Sequence, residues 1–152
     1  MEPEDFERSF GFLVGDVGRL LRKRFDRKAR HLGLTRAQWR VLAQLLRRDG
    51  LSQSALAELL DVEPITLTRH VERLEQEGWI ERRGDPRDRR LKRVYLAART
   101  APVVEEMLAI GLATREEALA GLDQAQREAL VDSLAAIKAN LAANGNRTAE
   151  HD

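Results

Sequence analysis

The sequence contains no cysteine, and that absence removes disulfides, thiolate zinc sites and any thiol-based redox sensor. No apolar run approaches the ~20 residues a membrane span needs. The opening segment MEPEDFERSF lacks the pattern of a secretory signal, so a cytoplasmic location is expected. Asn146-Arg147-Thr148 matches a glycosylation sequon but, without such a signal, reads as chance. Charge of either sign is nearly balanced: 26 Lys and Arg face 25 Asp and Glu, leaving a formal net charge of +1. Affinity for a polyanion must therefore come from local clustering. Histidine is sparse, with only His31, His70 and His151 and no HExxH or similar ligand spacing. There is no glycine-rich phosphate loop and no nucleophile elbow. The carboxylates are scattered over charged helix faces, where i,i+4 pairing is their usual role. The chain is not expected to be an enzyme or to carry a metal or cofactor.

What is present fits one globular domain spanning 1–152: 43% hydrophobic and 34% charged residues are enough to build a core and to solvate it. Phe6, Phe10, Leu13, Val17, Leu20, Leu21, Phe25 and Ala29 recur at helical spacing and predict a first helix from Pro3 to Leu32. Gly11, Gly15 and Gly18 sit on a neighbouring face. Each costs about 1 kcal/mol against alanine, which suggests either close approach of another helix or mere tolerance. After Gly33, Thr35 and Gln38 form a capping box that opens a helix to Arg47, with Trp39, Leu42, Leu45 and Leu46 inward. Ser52 caps a third helix whose inward residues read as Leu56, Leu59 and Leu60. A turn through Asp61, Val62 and Glu63 leads to Pro64, which starts a fourth helix closed by Gly78.

Trp79 to Arg83 and Leu91 to Leu96 predict the arms of a hairpin, with Ile80, Val94 and Leu96 inward and GDPRDRR projecting as a loop. Helix resumes from Pro102 to Gly121. A second capping box, Asp123 with Gln126, opens a last helix marked by Leu130, Leu134, Ile137 and Leu141. The polar tail, 145–152, is expected to be disordered. The small centre cannot cover the apolar stripes at both ends, so residues 3–32 and 102–144 are expected to pack against a second copy, giving a two-fold homodimer.

The centre carries the chemistry. On the fourth helix Leu67, Val71 and Leu74 form the inward stripe, turning Thr66, Arg69, His70 and Arg73 toward the far or flanking faces. Arginine can bond guanine O6 and N7 together, and threonine can bond base edges or touch the thymine methyl. His70 could reach a base or a phosphate. Ser52, Gln53 and Ser54 open the third helix, where free backbone N–H groups and short hydroxyls suit a phosphate. Arg82, Arg83, Arg87, Arg89, Arg90, Lys92 and Arg93 then crowd into one hairpin, and Asp85 and Asp88 offset only part of that charge. Like charges on a projecting loop make sense where a polyanion awaits them. A helix for the major groove beside a cationic finger is the layout of a reader of double-stranded DNA, and two such heads suit a pseudo-palindromic operator.

LTRAQWRVL followed by SQSALAELLDVEPITLTRHVERLEQEGWIERRGDPRDRRLKRVYL resembles the winged helix-turn-helix core of the MarR family of bacterial transcription regulators, nearest its SlyA-type branch. The similarity runs from Leu34 to Leu96, and the flanking helices fit the family's dimerisation arms. The most specific element is the wing signature D-x-R-D-x-R, here Asp85, Arg87, Asp88 and Arg90. The resemblance implies a mainly α fold with a small β-hairpin wing and a DNA-binding core over 34–98. It places Thr66, Thr68 and Arg69 on the recognition helix. It sends one of Arg87, Arg89 or Arg90 into the minor groove, with Asp88 bracing the wing alongside Asp85. The family follows the strand with LT and a glycine or glutamate-rich start, and this chain departs from that with LAARTAPVVEEM.

The resemblance further implies a repressor released by a small aromatic or anionic effector. Arg19, Arg22, His31 and Trp39 could line its pocket, a cation and an aromatic ring together suiting an aromatic carboxylate. The alternative reading is a winged helix that serves as an architectural or protein-interaction module without sequence preference.

Overall fold

The computed structural model describes residues 6–145. The expected tail therefore lies outside the described residues, apart from Gly145, which ends the last helix. The chain forms two compact units, one up to Thr114 and one from Arg115 on.

In the first unit α1 runs Phe10–Ala29 and passes through a 3-10 turn, Arg30–Leu32, to Gly33. The expected start at Pro3 lies outside the described residues; Phe6 and Glu7 are helical, and a turn at Arg8 and Ser9 separates them from α1. Ser9 takes extended backbone (φ −71°, ψ 143°), which breaks the periodic stripe between Phe6 and Phe10. Helix α2, Arg36–Arg47, has the expected capping box: Gln38 N–H donates to Thr35 Oγ1, and Thr35 N–H donates to Gln38 Oε1. Its inward side chains are Gln38, Val41, Leu42 and Leu45, whereas Leu46 is exposed and Trp39 half-buried. Helix α3, Gln53–Leu60, is capped by Ser52 Oγ, which accepts from Ala55 N–H. Here too the helical phase differs from the expectation: Ala57 is buried and Leu59 is exposed. Helix α4 runs Pro64–Gln76 and buries Leu67, Val71 and Leu74 as expected.

The sheet has three strands rather than two. β1 is only Leu51–Ser52, β2 is Ile80–Gly84 and β3 is Lys92–Leu96, in the order β1-β3-β2. β3 pairs antiparallel with both, setting Val94 opposite Arg82 on one side and opposite Leu51 on the other. Gly50 feeds β1 with φ +75°, and a Cβ there would lie 2.8 Å from the Tyr95 ring, so only glycine fits without a shift. Ile80, Val94 and the inward faces of α2, α3 and α4 close one hydrophobic core, which Met107 of α5 (Ala101–Ala118) joins. The entry to α5, where the sequence departs from the family pattern, is a 3-10 turn Ala98–Thr100. Thr100 Oγ1 donates to the Trp79 carbonyl at 2.6 Å, and the Arg99 guanidinium lies 4.3 Å above the Trp79 ring.

In the second unit α6 runs Gln124–Gly145 behind the reciprocal Asp123–Gln126 box. Arg127 ties the preceding turn by donating to the carbonyls of Leu119 and Leu122 and to Glu116. That guanidinium holds the Glu116 carboxyl below its ordinary range.

Apolar residues remain uncovered at both ends of the chain. Phe10, Phe12, Leu13, Val14, Val17 and Leu20 on α1 are exposed, as are Leu130, Val131, Leu134 and Leu141 on α6. A Cβ at Gly11 or Gly15 would meet nothing within 4 Å among the described residues, so no close approach by those residues accounts for the two glycines.

Candidate nucleic-acid interface

Helices α3 and α4 are joined at Asp61, whose left-handed backbone (φ 53°) turns the chain while its N–H donates back to the end of α3. Asp tolerates that conformation better than most residues. Pro64 then sits in the first turn of α4, where its missing N–H costs nothing. Away from the core, Thr66, Arg69 and Arg73 are exposed, and Thr68 and His70 are half-buried. Arg73 donates to Glu77 at 3.1 Å, one turn on. Arg69 and His70 have no hydrogen bond or ion pair among the described residues.

Two of the sequence-selected polar residues partly serve the fold. Thr68 Oγ1 donates to the Pro64 carbonyl at 2.9 Å and accepts from Gln53 Nε2 at 3.4 Å. Gln53 and Thr68 therefore fasten α3 to α4, and Gln53 Oε1 is enclosed without a partner among the described residues. The hydroxyls of Ser52 and Ser54 lie 3.1 Å apart at the start of α3, with Ser54 exposed.

The hairpin cations divide into two groups that the sequence did not separate. Arg82 is turned back to α4: its N–H, Nε and Nη2 donate to the Glu75 carboxylate at 2.9, 3.2 and 3.0 Å. Arg93 donates to Asp85 at 2.5 Å and to the Gly50 carbonyl at 2.9 Å, joining the wing loop to the entry of β1. Arg83 pairs with Glu81 and covers the Tyr95 ring at 4.4 Å. The second group points away: Arg87, Arg89, Arg90 and Lys92 are exposed. Of these, Arg90 pairs with Asp88 at 3.3 Å, and the Lys92 charge acts on the Glu75 carboxylate. The Arg87 and Arg89 side chains have no partner among the described residues.

Asp85 is the brace of this loop, more than Asp88. It is buried and accepts from Arg87 N–H at 2.7 Å and Asp88 N–H at 3.2 Å, besides Arg93. Asp88 accepts from Arg90 N–H and Nε. The Arg93 guanidinium, helped by the two backbone donors, holds the Asp85 carboxyl below its ordinary value. The Glu75 carboxyl is lowered in the same way by Arg82. A carboxylate lowered by folding stabilises the fold above its unfolded pKa and loses that contribution as pH falls through the folded value. The Arg87 and Asp88 amides should therefore keep their hydrogen-exchange protection from pH 7 down to about 4, near the ordinary Asp value. Below that the protection should fall while the core holds, and Asp85→Asn should reproduce the loss at pH 7. Protection that already declines between pH 7 and 5 would contradict this.

The four residues selected for an effector each have local surroundings of their own. Arg19 pairs with Asp16 at 3.4 Å, and the Arg22 guanidinium lies beside Gly18. His31 Nε2 is 3.0 Å from Glu106 Oε2, both exposed. Trp39 packs on Phe25 with ring centres 4.3 Å apart, and its Nε1 donates to Asp26 at 2.7 Å. An open recess on α1 is lined by Phe6, Ser9, Gly11, Phe12, Gly15 and Asp16, none of them among the four.

A sequence model described as MarR family matches residues 34–92. Among solved structures, the transcriptional regulator PA3341 is 35% identical, the match covering 88% of this chain and 98% of that one at a TM-score of 0.78. A MarR transcriptional regulator from Methanosarcina mazei Go1 is 27% identical over 86% of this chain and 94% of that one, TM-score 0.78. The transcriptional regulator SlyA is 27% identical over 86% of this chain and 92% of that one, TM-score 0.73.

Proposed function

The chain belongs to the MarR family of transcriptional regulators, and from that premise we propose that it is a homodimeric, sequence-specific reader of double-stranded DNA that acts as a repressor. The observation that carries the reading is an Arg69 side chain on the outer face of α4, together with the Arg87 and Arg89 side chains on the wing, all three without a side-chain partner among the described residues. Every other cation of the hairpin except Arg90 and Lys92 is committed to the fold or to a neighbouring ring. In this reading α4 lies in the major groove of a pseudo-palindromic operator. Arg69 bonds a guanine, while Thr66, His70 and Arg73 flank it. The wing arginines and Lys92 meet phosphates, or one arginine enters the minor groove. Ser52, Gln53 and Ser54 lie toward the backbone, with Thr68 behind them.

Control is proposed to run through reversible binding of a small aromatic or anionic effector. With no cysteine in the sequence, thiol oxidation is not available as the switch. The effector need only favour a spacing of the two heads that no longer matches successive major grooves. Operator DNA must then weaken effector binding by the same factor.

Arg69→Ala tests the assignment of α4. It should cost about 1–3 kcal/mol of discrimination on the operator and leave binding to unrelated duplex nearly unchanged, since a base contact carries sequence and little else. Titrations on both duplexes read the result. Equal weakening on the two would mean that Arg69 meets phosphate and that α4 is misassigned.

A further inference from the structure

We propose that Ile65 is a base-reading residue that recognises the C5-methyl group of a thymine in the major groove. The proposal rests on α4 being the recognition helix and names one contact of that face. Ile65 is 68% exposed, whereas the other large aliphatic side chains of α4 are fully buried. At 3.6 residues per turn, Ile65 and Arg69 lie one above the other on the line opposite Leu67, Val71 and Leu74.

A β-branched residue there does nothing evident for the helix. It has lower helical propensity than alanine or a straight-chain polar residue. Single exposed aliphatic residues are ordinary on protein surfaces. What distinguishes Ile65 is its place in the first turn of α4, in line with a guanidinium that has no partner among the described residues. The first residues of a recognition helix are those that reach base edges. In the major groove the apolar group on offer is the thymine methyl, and side chains of this kind recognise it by contact.

The spacing adds a constraint. Residues four apart on a helix are separated by about 6 Å along its axis. Stacked bases repeat every ~3.4 Å. The thymine read by Ile65 therefore lies one or two steps from the guanine read by Arg69.

The test uses full-length protein and a duplex that it selects from random sequence. Each thymine is replaced in turn by uracil, which removes the methyl and leaves every hydrogen bond in place. One thymine per half-site should respond, its replacement weakening binding about fourfold, the equivalent of ~0.8 kcal/mol for one buried methyl. Ile65→Ala, which alters an exposed side chain and should melt like the parent protein, should bind thymine and uracil duplexes alike. Ile65→Val, which keeps the branched methyls, should still discriminate. A parent protein that prefers its selected duplex but ignores every uracil would overturn the role of Ile65 and leave DNA reading intact. Equal binding to selected and unrelated duplexes would instead remove the reading on which the proposal rests. Discrimination that persists in Ile65→Ala would assign the methyl contact elsewhere, and a changed oligomeric state would place Ile65 between copies of the chain; either result overturns the proposal.

Discussion

A variant carrying Val17→Asp and Leu134→Asp is expected to be monomeric and to bind operator DNA roughly 10²–10⁴-fold more weakly, the usual gain from linking two binding modules. Both side chains are exposed, on α1 and α6 respectively, so the substitutions cost little in an isolated protomer. In a two-fold interface the same substitutions bury charge in an apolar contact, and each occurs twice. The motive is the run of uncovered Phe, Leu and Val on α1 and α6, together with glycines on α1 that have open space where a Cβ would stand. Large exposed apolar patches on a soluble protein mark interaction surfaces. Cutting the chain to 34–98 should likewise abolish association. It would also remove Met107 from the core, so that fragment should be poorly stable. Sedimentation at micromolar concentration reads the outcome. A parent protein that sediments as a monomer would contradict the dimer, and a double variant that stays dimeric would move the interface elsewhere.

The second large effect is expected at the wing. Replacing Arg87, Arg89 and Arg90 together by alanine should weaken binding to any duplex by up to about 10⁴-fold near 0.15 M salt. Each phosphate contact is worth on the order of fivefold there through counterion release, and a dimer brings roughly six such contacts. The slope of log affinity against log salt should flatten by as much as about five. The fold should survive, because the Arg87 and Arg89 side chains have no partner among the described residues and the Arg90 side chain, itself exposed, meets only Asp88 there. Arg82 and Arg93 should behave differently despite lying in the same cluster. Their guanidinium groups hold Glu75, Asp85 and the Gly50 carbonyl, so their loss should lower stability as well as affinity. An arginine that enters a narrow minor groove would add a preference for A·T flanks, lost in the triple variant. An unchanged salt slope would mean that the wing does not touch DNA.

How much of this was legible in the sequence follows from the range of each interaction. The Thr35–Gln38 and Asp123–Gln126 boxes, the Ser52 cap and the Pro64 start are all settled within four residues, and each stands where its local chemistry put it. The stripe of α4 was equally plain because its three buried residues have polar neighbours. Helices α2 and α3 were harder: leucines stand at adjoining positions, so the phase could be read two ways, and Val41 and Ala57 rather than Leu46 and Leu59 face the core. Strand β1 gave no signal of its own. It is two residues long and exists only because Val94, more than forty positions on, offers a partner to Leu51. The same limit applies to the wing. Composition shows seven cations but not that Arg82 reaches back to Glu75 or Arg93 to Gly50. Asp85 could be counted as an offsetting charge, while its work as acceptor for two backbone amides needed the folded loop.

Whether this chain reads DNA sequence is decided by competition binding. A duplex retained from its own genome and an unrelated duplex of equal length would each be titrated at ~0.15 M salt in excess bulk DNA. A sequence reader should prefer the retained duplex by at least ~10³-fold, the lower end for specific regulators. A ratio near one, with strong binding to both, would contradict sequence reading and leave a winged helix that grips DNA without reading it.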